Sequence, residues 1–460
     1  MTTERYDELV KRQRAEFKVR LLTHMRRLSW SKEAISSERQ ARLRELLAWA
    51  VTHSEFYRRR LAKAPPFDGF TEPDLHELPA MTKADLMENF DGIVTDSRLS
   101  LATVEDHIDS LDSDAYLLDW FRAFPTGGTS GQRGVFVYDW EEWITFLCST
   151  TRWRLRRSLD TGSSSGGVSI FADRATHISR AMLDFLHGRE AGRPTFSAAM
   201  PIAEIVERLN EMRPSSIDTY PSTLRMLVDQ ARIGDLCIDP AEVATCGEWL
   251  SPSLRQDVMQ QWGVDIYDYW GTTEGVYAFS CGADASMHLP DDLVILEAVD
   301  ERGNPVPAGQ LADRVLVTNL YNKTLPLIRY EINDAMTVMA EPCSCGSSYS
   351  RIGALQGRPS QVFSYPDGTS LTSLTVPFGA LERNRDVTDY QVRQTERGVD
   401  VFVYCRSQPD LEALHRDLVA ALSLAGLADP EVTVRAEPEL TRLDSGKLRR
   451  FVPLEVRVRR

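Results

Sequence analysis

The segment Asp268–Glu274, DYWGTTE, places an aromatic side chain, two hydroxyls and a carboxylate next to a glycine. It directly follows a short apolar stretch that contains Val264 and Ile266. An aromatic ring can cover a purine base, hydroxyls can bind a phosphate, and a carboxylate can hold Mg²⁺. The segment therefore carries the groups that bind a nucleotide, and this interpretation depends on partner motifs elsewhere in the chain.

A second candidate is the run TGGTSGQRG at residues 126–134. Its glycines would let backbone N–H groups approach a phosphate, and its hydroxyls would add donors. It is not a Walker loop, because the pattern GxxxxGK[ST] does not occur in the chain. A run of this composition is also typical of a plain loop, so it indicates a phosphate site only together with other motifs.

A third candidate is the run LTRLDSGKLRR at residues 440–450. A lysine that follows a glycine on an exposed loop can neutralise charge that develops on a phosphate or a carboxylate. An ordinary surface lysine is the alternative interpretation of Lys447 taken alone.

Three cysteines and one histidine form a candidate metal site. Cys343 and Cys345 are separated by one residue, and Cys281 and His288 lie about 60 positions upstream. Three thiolates and an imidazole suit tetrahedral zinc, with no open position for catalysis. Sequence spacing does not show that the two halves meet, so three reduced thiols in a cytosolic protein remain the alternative.

The order of apolar and turn-forming segments predicts the elements that position these residues. The start, 1–64, is predicted to be helical, with a capping-box signal at Ser37 and Gln40. Its 15 Lys or Arg against 8 Asp or Glu over residues 1–60 indicate a solvated basic face, with a lipid or partner surface as the alternative.

From residue 140 onward, short strands alternate with helices, which predicts a mainly parallel sheet with helices on its faces. In such sheets ligands bind beyond the carboxyl ends of the strands, and DYWGTTE lies at one of those ends. The region of about 290–350 is predicted to be β-rich, and the last hundred residues form a smaller α+β pattern.

Composition narrows the class of protein. At 460 residues and 42% hydrophobic content, the chain predicts two or three domains with packed cores. Its net charge of −14 argues against a nucleic-acid partner. No apolar run approaches the roughly 18 residues of a membrane span, the N-terminus lacks a secretory apolar core, and seven irregularly spaced Cys do not form a disulfide framework. We therefore expect a cytoplasmic protein.

The motifs, in this order, resemble those of the adenylate-forming superfamily, and within it the phenylacetate–CoA ligase-like branch. The resemblance covers nearly the whole length and adds LRELLAWAVTHSEFYRRRLA, LPAMTKADLMENFD, YPSTL, CGEWLSPSLR and LPLIRYEINDAM. It implies an α/β fold with two domains. A large N-terminal adenylation domain would span 1–357, with parallel sheets flanked by helices and a β-rich subdomain. A small, mobile α+β domain with the catalytic lysine loop would span 358–460.

The resemblance assigns the catalytic and nucleotide roles. Glu274 would bind Mg²⁺, Thr273 the α-phosphate, and Lys447 would bridge the attacking carboxylate and the α-phosphate. Trp270 would cover adenine, Asp334 would accept hydrogen bonds from the ribose hydroxyls, and Arg358 would contact the ribose at the domain hinge. The other residues implied to contact the nucleotide are Thr126, Gly128, Thr129, Ser130, Gly131, Arg133, Gly247, Glu248, Tyr269, Gly271 and Thr272, and relatives hold a structural zinc at positions similar to Cys281, His288, Cys343 and Cys345.

Three positions depart from the family pattern. Trp270 stands where the family more often has tyrosine. Gln132 replaces a lysine of the phosphate loop, and the neighbouring Arg133 is the candidate substitute, although arginine and lysine bind phosphate differently. Pro359 and Ser360 replace acidic residues after the hinge arginine, which bears mainly on the second half-reaction.

The function implied is ATP-dependent activation of a carboxylic acid through an acyl-adenylate, with transfer to coenzyme A. Tyr138, Tyr220 and Trp249 would line the acid pocket and are compatible with an aromatic acid. An amine or a carrier protein is the alternative acceptor, and an unusual acid is the alternative substrate. A non-catalytic nucleotide sensor on the same fold is the alternative function from a different class. The sequence does not predict the oligomeric state, and a homodimer is one alternative.

Overall fold

The structure is a computed structural model. It describes residues 3–126, 134–161, 166–172, 175–187, 194–300, 302–353, 363–366, 369–371, 381, 386–405, 409–442 and 448–454. Several predicted site residues lie outside these ranges: Gly128, Thr129, Ser130, Gly131, Arg133, Arg358 and Lys447.

The chain begins with helices that pack against the central body. They are α1 (Thr3–Arg27), α2 (Lys32–His53), α3 (Glu55–Arg60), α4 (Lys83–Glu88), α5 (Phe90–Ile93) and α6 (Leu101–Asp109), with a 3₁₀ helix at Glu72–Glu77. Helix α2 starts six residues before the predicted capping box, because Ser31 supplies the N-cap and its Oγ accepts from the Ala34 N–H at 3.3 Å. The prediction at Ser37 was wrong. Gln40 instead donates to the Phe70 carbonyl at 2.6 Å.

An eight-stranded sheet forms the centre of the molecule, in the order β15-β9-β8-β7-β6-β5-β3-β4. Strands β3 to β7 are parallel, whereas β8, β9 and β15 are antiparallel. The strands are β3 (Gly167–Phe171), β4 (Thr195–Ser197), β5 (Ser216–Thr219), β6 (Glu242–Cys246), β7 (Ile266–Gly271), β8 (Tyr277–Ser280), β9 (Met287–His288) and β15 (Arg351–Ile352).

Helices on both faces cover the parallel strands, which are almost fully buried. These helices are α7 (Trp140–Thr161), α8 (Ile178–His187), α9 (Ile202–Met212), α10 (Pro221–Ile233) and α11 (Pro252–Trp262). One core joins the N-terminal helices to α7 and the β7–β8 side of the sheet, and a second core lies among α9, α10, α11 and the β3–β5 side. The predicted α/β class is confirmed, because the parallel strands β3 to β6 are each followed by a helix and both faces of the sheet are packed against helices.

Smaller sheets surround this body. They comprise the hairpin β1 (Phe121–Pro125) and β2 (Val135–Asp139), the antiparallel sheet of β10 (Val294–Val299), β12 (Arg314–Asn319) and β13 (Tyr330–Ile332), and the pair β11 (Leu311–Ala312) and β14 (Met336–Thr337). The β10-β12-β13 sheet contributes to the site, because the end of β12 and the loop after β13 reach the carboxyl edge of the central sheet.

The C-terminal part has its own core. Its elements are β16 (Phe363–Ser364), β17 (Ser370–Leu371), β18 (Val387–Gln394), β19 (Gly398–Cys405), α12 (Leu411–Leu424), β20 (Glu431–Ala436) and β21 (Phe451–Val452). Helix α12 packs on a sheet of order β20-β19-β18-β21. Among the residues that the structure describes, no helix combines the length and apolar character needed to cross a membrane.

Candidate active site

Some of the predicted site residues that the structure describes lie where parallel strands end side by side. Strands β5, β6 and β7 are neighbours, so Tyr220, Gly247 and Thr272 all follow the same carboxyl edge. Thr126, which directly follows β1, makes a pair of bonds to Gly134: its N–H donates to the Gly134 carbonyl and its Oγ1 accepts from the Gly134 N–H, both at 2.8 Å. This edge is where an open α/β sheet binds its ligand.

Trp270 and Asp334 contact each other directly, although 64 positions separate them. The indole Nε1–H donates to Asp334 Oδ2 at 2.9 Å, and both side chains are buried. Asp334 lies in the loop between β13 and β14, which places a carboxylate beside the aromatic ring. Because a carboxylate only accepts hydrogen bonds, the indole donor orients an acceptor that suits the hydroxyls of a ribose.

The turn that carries Glu274 is held by its backbone carbonyls. The Tyr138 hydroxyl donates to the Thr273 carbonyl at 2.6 Å, and Asn319 Nδ2 donates to the Glu274 carbonyl at 3.0 Å. The Tyr321 hydroxyl donates to the Gly275 carbonyl at 2.7 Å. We call these three donors the carbonyl cradle; they hold the backbone of the predicted Mg²⁺ ligand in place.

Gly275 is required by this cradle. Its φ is +93°, and a Cβ there would lie 2.5 Å from the Tyr321 hydroxyl and 2.6 Å from Asn319 Nδ2. Sequence reasoning missed Asn319 and Tyr321 altogether. The available signal was a run of polar residues, TNLYN, directly after the apolar part of β12.

The two faces of β7 serve different purposes. Tyr269 lies on the face opposite Trp270, where its hydroxyl donates to Asp218 at 3.0 Å. Asp268 accepts from Thr245 Oγ1 at 2.8 Å, and burial raises the pKa of Asp268 to about 7. Tyr269 therefore ties β7 to β5 on one face, whereas Asp268 ties β7 to β6 on the face that also carries Trp270.

The predicted acid-pocket residues occupy different environments. Tyr138 is fully buried within the carbonyl cradle, and burial raises its pKa well above that of free tyrosine. Tyr220 is also buried; its hydroxyl accepts from the Ala172 N–H at 3.3 Å. Trp249 instead lines a small cleft between the central body and the C-terminal part, together with Pro221, Arg225, Ser251, Ser253, Leu254, Leu381, Val387, Asp389, Tyr390 and Arg450.

The two halves of the Cys/His set meet, because β9 pairs with β15 and brings the 343–345 turn over the β8–β9 hairpin. The candidate ligand atoms of all four residues lie within 4.8 Å of one another. The Cys281 and Cys343 sulfurs are 3.5 Å apart, and Cys345 Sγ lies 3.3 Å from His288 Nε2. Ligands of a tetrahedral zinc are spaced by roughly 3.5–3.8 Å when Zn–S is about 2.3 Å.

The surroundings of this set suit a metal site. His288 Nδ1 contacts the Tyr349 carbonyl at 3.1 Å, which leaves Nε2 facing the thiols. Burial lowers the pKa of His288 and so favours the neutral imidazole that binds metals. Arg351 ties the halves together by donating to Asp284 at 2.7 Å and to the Glu341 carbonyl at 2.7 Å.

Comparison with known proteins agrees with this geometry. No family model matches the sequence. Phenylacetate-coenzyme A ligase of Thermus thermophilus is 24% identical over 368 residues, which cover 75% of this chain and 76% of the relative. Protein CapK of Staphylococcus aureus is 21% identical over 314 residues, covering 65% of this chain and 62% of CapK.

Solved structures share the fold. 2-Hydroxyisobutyryl-CoA ligase in the postadenylation state with 2-HIB-AMP gives a TM-score of 0.72 at 19% identity, covering 94% of this chain and 92% of the ligase chain. Its open conformation with 2-HIB-AMP and CoA gives 0.58 at 18% identity, with 94% of each chain covered.

The sheet edge, the joined Trp270 and Asp334, and these similarities define an adenylate-forming fold. The chain shares this fold with 2-hydroxyisobutyryl-CoA ligase and is similar in sequence to a phenylacetate-coenzyme A ligase.

Proposed function

We propose that this protein is an AMP-forming acid–CoA ligase. An oxygen of the acid's carboxylate attacks the α-phosphorus of ATP, the bond to the β-phosphate oxygen breaks, and pyrophosphate leaves. The thiol of coenzyme A, losing its proton, then attacks the acyl carbon and releases AMP. The relative from Thermus thermophilus is named a phenylacetate-coenzyme A ligase, and the structural neighbour is a 2-hydroxyisobutyryl-CoA ligase.

The observation that carries the proposal is the bond between Trp270 and Asp334 beside the braced Glu274. It supplies an aromatic cover for adenine, an acceptor for ribose and a carboxylate for Mg²⁺ at one sheet edge. Bound Mg²⁺ would offset the charge of the leaving pyrophosphate. The protein's own work is positioning and charge stabilisation, since the transfer needs little covalent chemistry from the enzyme.

Aromatic acids are the proposed substrate class. Tyr220 follows β5 at the same edge, and its ring packs edge-on against Phe171 with centroids 5.1 Å apart. Trp249 lines the cleft between the two parts of the chain. The experiment is a panel of aryl, arylacetic and short aliphatic acids with ATP and Mg²⁺, with and without CoA, read by pyrophosphate release and mass spectrometry of the products.

Each outcome of the panel separates the candidate functions. Pyrophosphate release together with an acyl-CoA product supports the ligase. Release without a thioester points to an amine or a carrier protein as the acceptor. ATP binding without release for any acid would overturn the enzyme and favour a nucleotide sensor.

Lys447, outside the described residues, is proposed to act in adenylation. We expect Lys447→Ala to abolish pyrophosphate release but to leave thioester formation from preformed adenylate intact. Equal loss of both half-reactions would contradict this role.

We also propose that Cys281, His288, Cys343 and Cys345 bind one structural Zn²⁺. The support is the convergence of three thiols and one imidazole from two chain segments on one point. We expect about one zinc per chain by elemental analysis, and loss of zinc with lower thermal stability in Cys343→Ser. Cys405→Ser, a substitution outside the cluster, is the matched control; a folded protein that contains no zinc would exclude the site.

A further inference from the structure

Both ends of the C-terminal loop segment are bonded to the central body. Leu448, which directly follows Lys447 in the sequence, donates its backbone N–H to Glu248 Oε1 at 2.8 Å. Arg442, at the other end, donates from Nη1 to Ser222 Oγ at 2.7 Å and from Nη2 to the Ser222 carbonyl at 3.4 Å. Arg442 and Leu448 pair with each other in an antiparallel bridge, so the two ends lie side by side.

The two residues that accept these bonds, Ser222 and Glu248, are bonded to each other at the carboxyl edge of the central sheet. Glu248 follows β6, and Ser222 lies in the first turn of α10, which follows β5. Glu248 Oε2 accepts from the Ser222 N–H at 2.9 Å, and Oε1 accepts from Ser222 Oγ at 2.9 Å. Ser222 is fully buried, and its N–H is one of the helix-start donors without an intrahelical partner, so the carboxylate also caps α10.

The residues next to the donors Arg442 and Leu448 are bonded to the rest of the C-terminal part. Gln391 Nε2 donates to the Arg449 carbonyl at 2.8 Å and to the Thr441 carbonyl at 3.3 Å. The Val392 N–H donates to the Arg450 carbonyl at 2.7 Å. Because of these bonds, contacts that hold Arg442 and Leu448 in place also hold β18 and the four-stranded C-terminal sheet in place.

We infer that Ser222 and Glu248 form a docking point for the ends of the lysine-bearing loop, and that this docking point holds the C-terminal domain in place for the adenylation half-reaction. The inference rests on the proposed function and assigns Glu248 and Ser222 as positioning residues. The bonds from Arg442 to Ser222 and from Leu448 to Glu248 are polar contacts that can be broken when the domain moves for the second half-reaction.

Two variants separate docking from capping. Arg442→Gln removes the bonds to Ser222 and leaves the cap that Glu248 gives to α10. Glu248→Ala removes both the cap and the Leu448 bond. Arg435→Gln, on the exposed side of β20, is the matched arginine control.

The first test is hydrogen–deuterium exchange of peptides that cover residues 440–452 in the ligand-free full chain. Because charge-assisted hydrogen bonds are lost, we expect exchange at Leu448 to speed up about tenfold or more in Arg442→Gln and in Glu248→Ala. Arg435→Gln should match the wild type. Unchanged exchange at Leu448 in both variants would overturn the docking point, whatever the enzyme does.

The second test compares the half-reactions, using ATP, Mg²⁺ and the acid that releases most pyrophosphate in the panel. We expect Arg442→Gln to slow adenylation about tenfold and to leave thioester formation from the preformed adenylate unchanged. Equal slowing of both steps, or of neither, would overturn the positioning role. Failure of the proposed function is a distinct outcome, in which the wild type releases no pyrophosphate with any acid.

Discussion

The turn of Glu274 and the loop between Arg442 and Leu448 are held in opposite ways. Every carbonyl from Thr273 to Gly275 accepts a hydrogen bond from a buried side chain of the same body. The C-terminal loop contacts the central body at its two ends, through Ser222 and Glu248. The comparison teaches that the nucleotide side is organised in advance, whereas the lysine side is attached by contacts that can be released.

This difference matches the needs of two successive reactions. ATP and the adenylate must stay oriented in both steps, so their contacts gain from a rigid backbone. The group that acts in only one step gains from a position that can change. Variants on the nucleotide side should therefore impair both half-reactions, and docking variants only the first.

The largest effect is expected from Glu274→Gln. The neutral amide is a weaker Mg²⁺ ligand than the carboxylate, so we expect pyrophosphate release to fall about 100-fold or more. The measurement is the initial rate at saturating ATP over a range of Mg²⁺ concentrations. Glu331→Gln, which removes the ion pair between Glu331 and Arg314, is the matched control, and a near-normal rate for Glu274→Gln would refute the assignment.

A large but smaller effect is expected from Asn319→Ala. The Asn319 side chain donates to the Glu274 carbonyl and accepts from the N–H groups of Tyr321 and Asn322, both at 3.1 Å. Losing these buried bonds should lower the free energy of unfolding by about 3 kcal/mol and slow both half-reactions about tenfold. Urea unfolding and rates on the preformed adenylate measure this.

Asn304→Ala is the control for that substitution. Asn304 is exposed in a turn, where its side chain donates to Asp300 at 2.9 Å, so the variant should change stability and rate little. If Asn319→Ala changed stability and rate as little as Asn304→Ala, the carbonyl cradle would not hold the Glu274 turn.

Tyr321→Phe sharpens the distinction between stability and positioning. It removes only the hydroxyl that donates to the Gly275 carbonyl, which should cost about 1 kcal/mol of stability and slow both half-reactions a few-fold. Tyr349→Phe removes a comparable bond, to the Arg27 carbonyl at the end of α1, at 3.0 Å. We expect equal losses of stability in the two variants, but slower catalysis only in Tyr321→Phe. If both variants slowed catalysis equally, the carbonyl cradle would contribute to stability and not to positioning.

Much of this architecture could be predicted from the sequence, because it depends on local patterns. Short apolar strands that alternate with helices predicted the parallel sheet, and the motif was correctly placed at the carboxyl end of β7. The capping box at Ser37 failed because a better cap, Ser31, precedes it. Long-range pairings were beyond a local pattern.

Three features of the site depend on such pairings. The Cys and His halves meet only because β9 pairs with β15. Asn319 and Tyr321 reach the Glu274 turn from a different sheet. Glu248 was predicted at the nucleotide pocket from the resemblance, but its bond to Leu448 depends on where the C-terminal part docks.

The bond between Trp270 and Asp334 is also long-range, and it supplies the most specific prediction. Trp270→Phe keeps an aromatic cover and removes the N–H that orients Asp334. We expect the KM for ATP to rise about fivefold, which is about 1 kcal/mol, with little change in kcat for adenylation. The carboxylate and the indole act as a pair, so Asp334→Asn should weaken ATP binding more than Trp270→Phe does.

A double-mutant cycle tests whether the two residues act together. If the indole orients the carboxylate for the ribose, Trp270→Phe should weaken ATP binding much less in an Asp334→Asn background than in the wild type. A coupling of about 1 kcal/mol is then expected from binding constants measured with ATP and Mg²⁺ alone. Additive losses would mean that Trp270 acts only as a cover for adenine. The nucleotide side would then be held in place by the carbonyl cradle and not by the bond between Trp270 and Asp334.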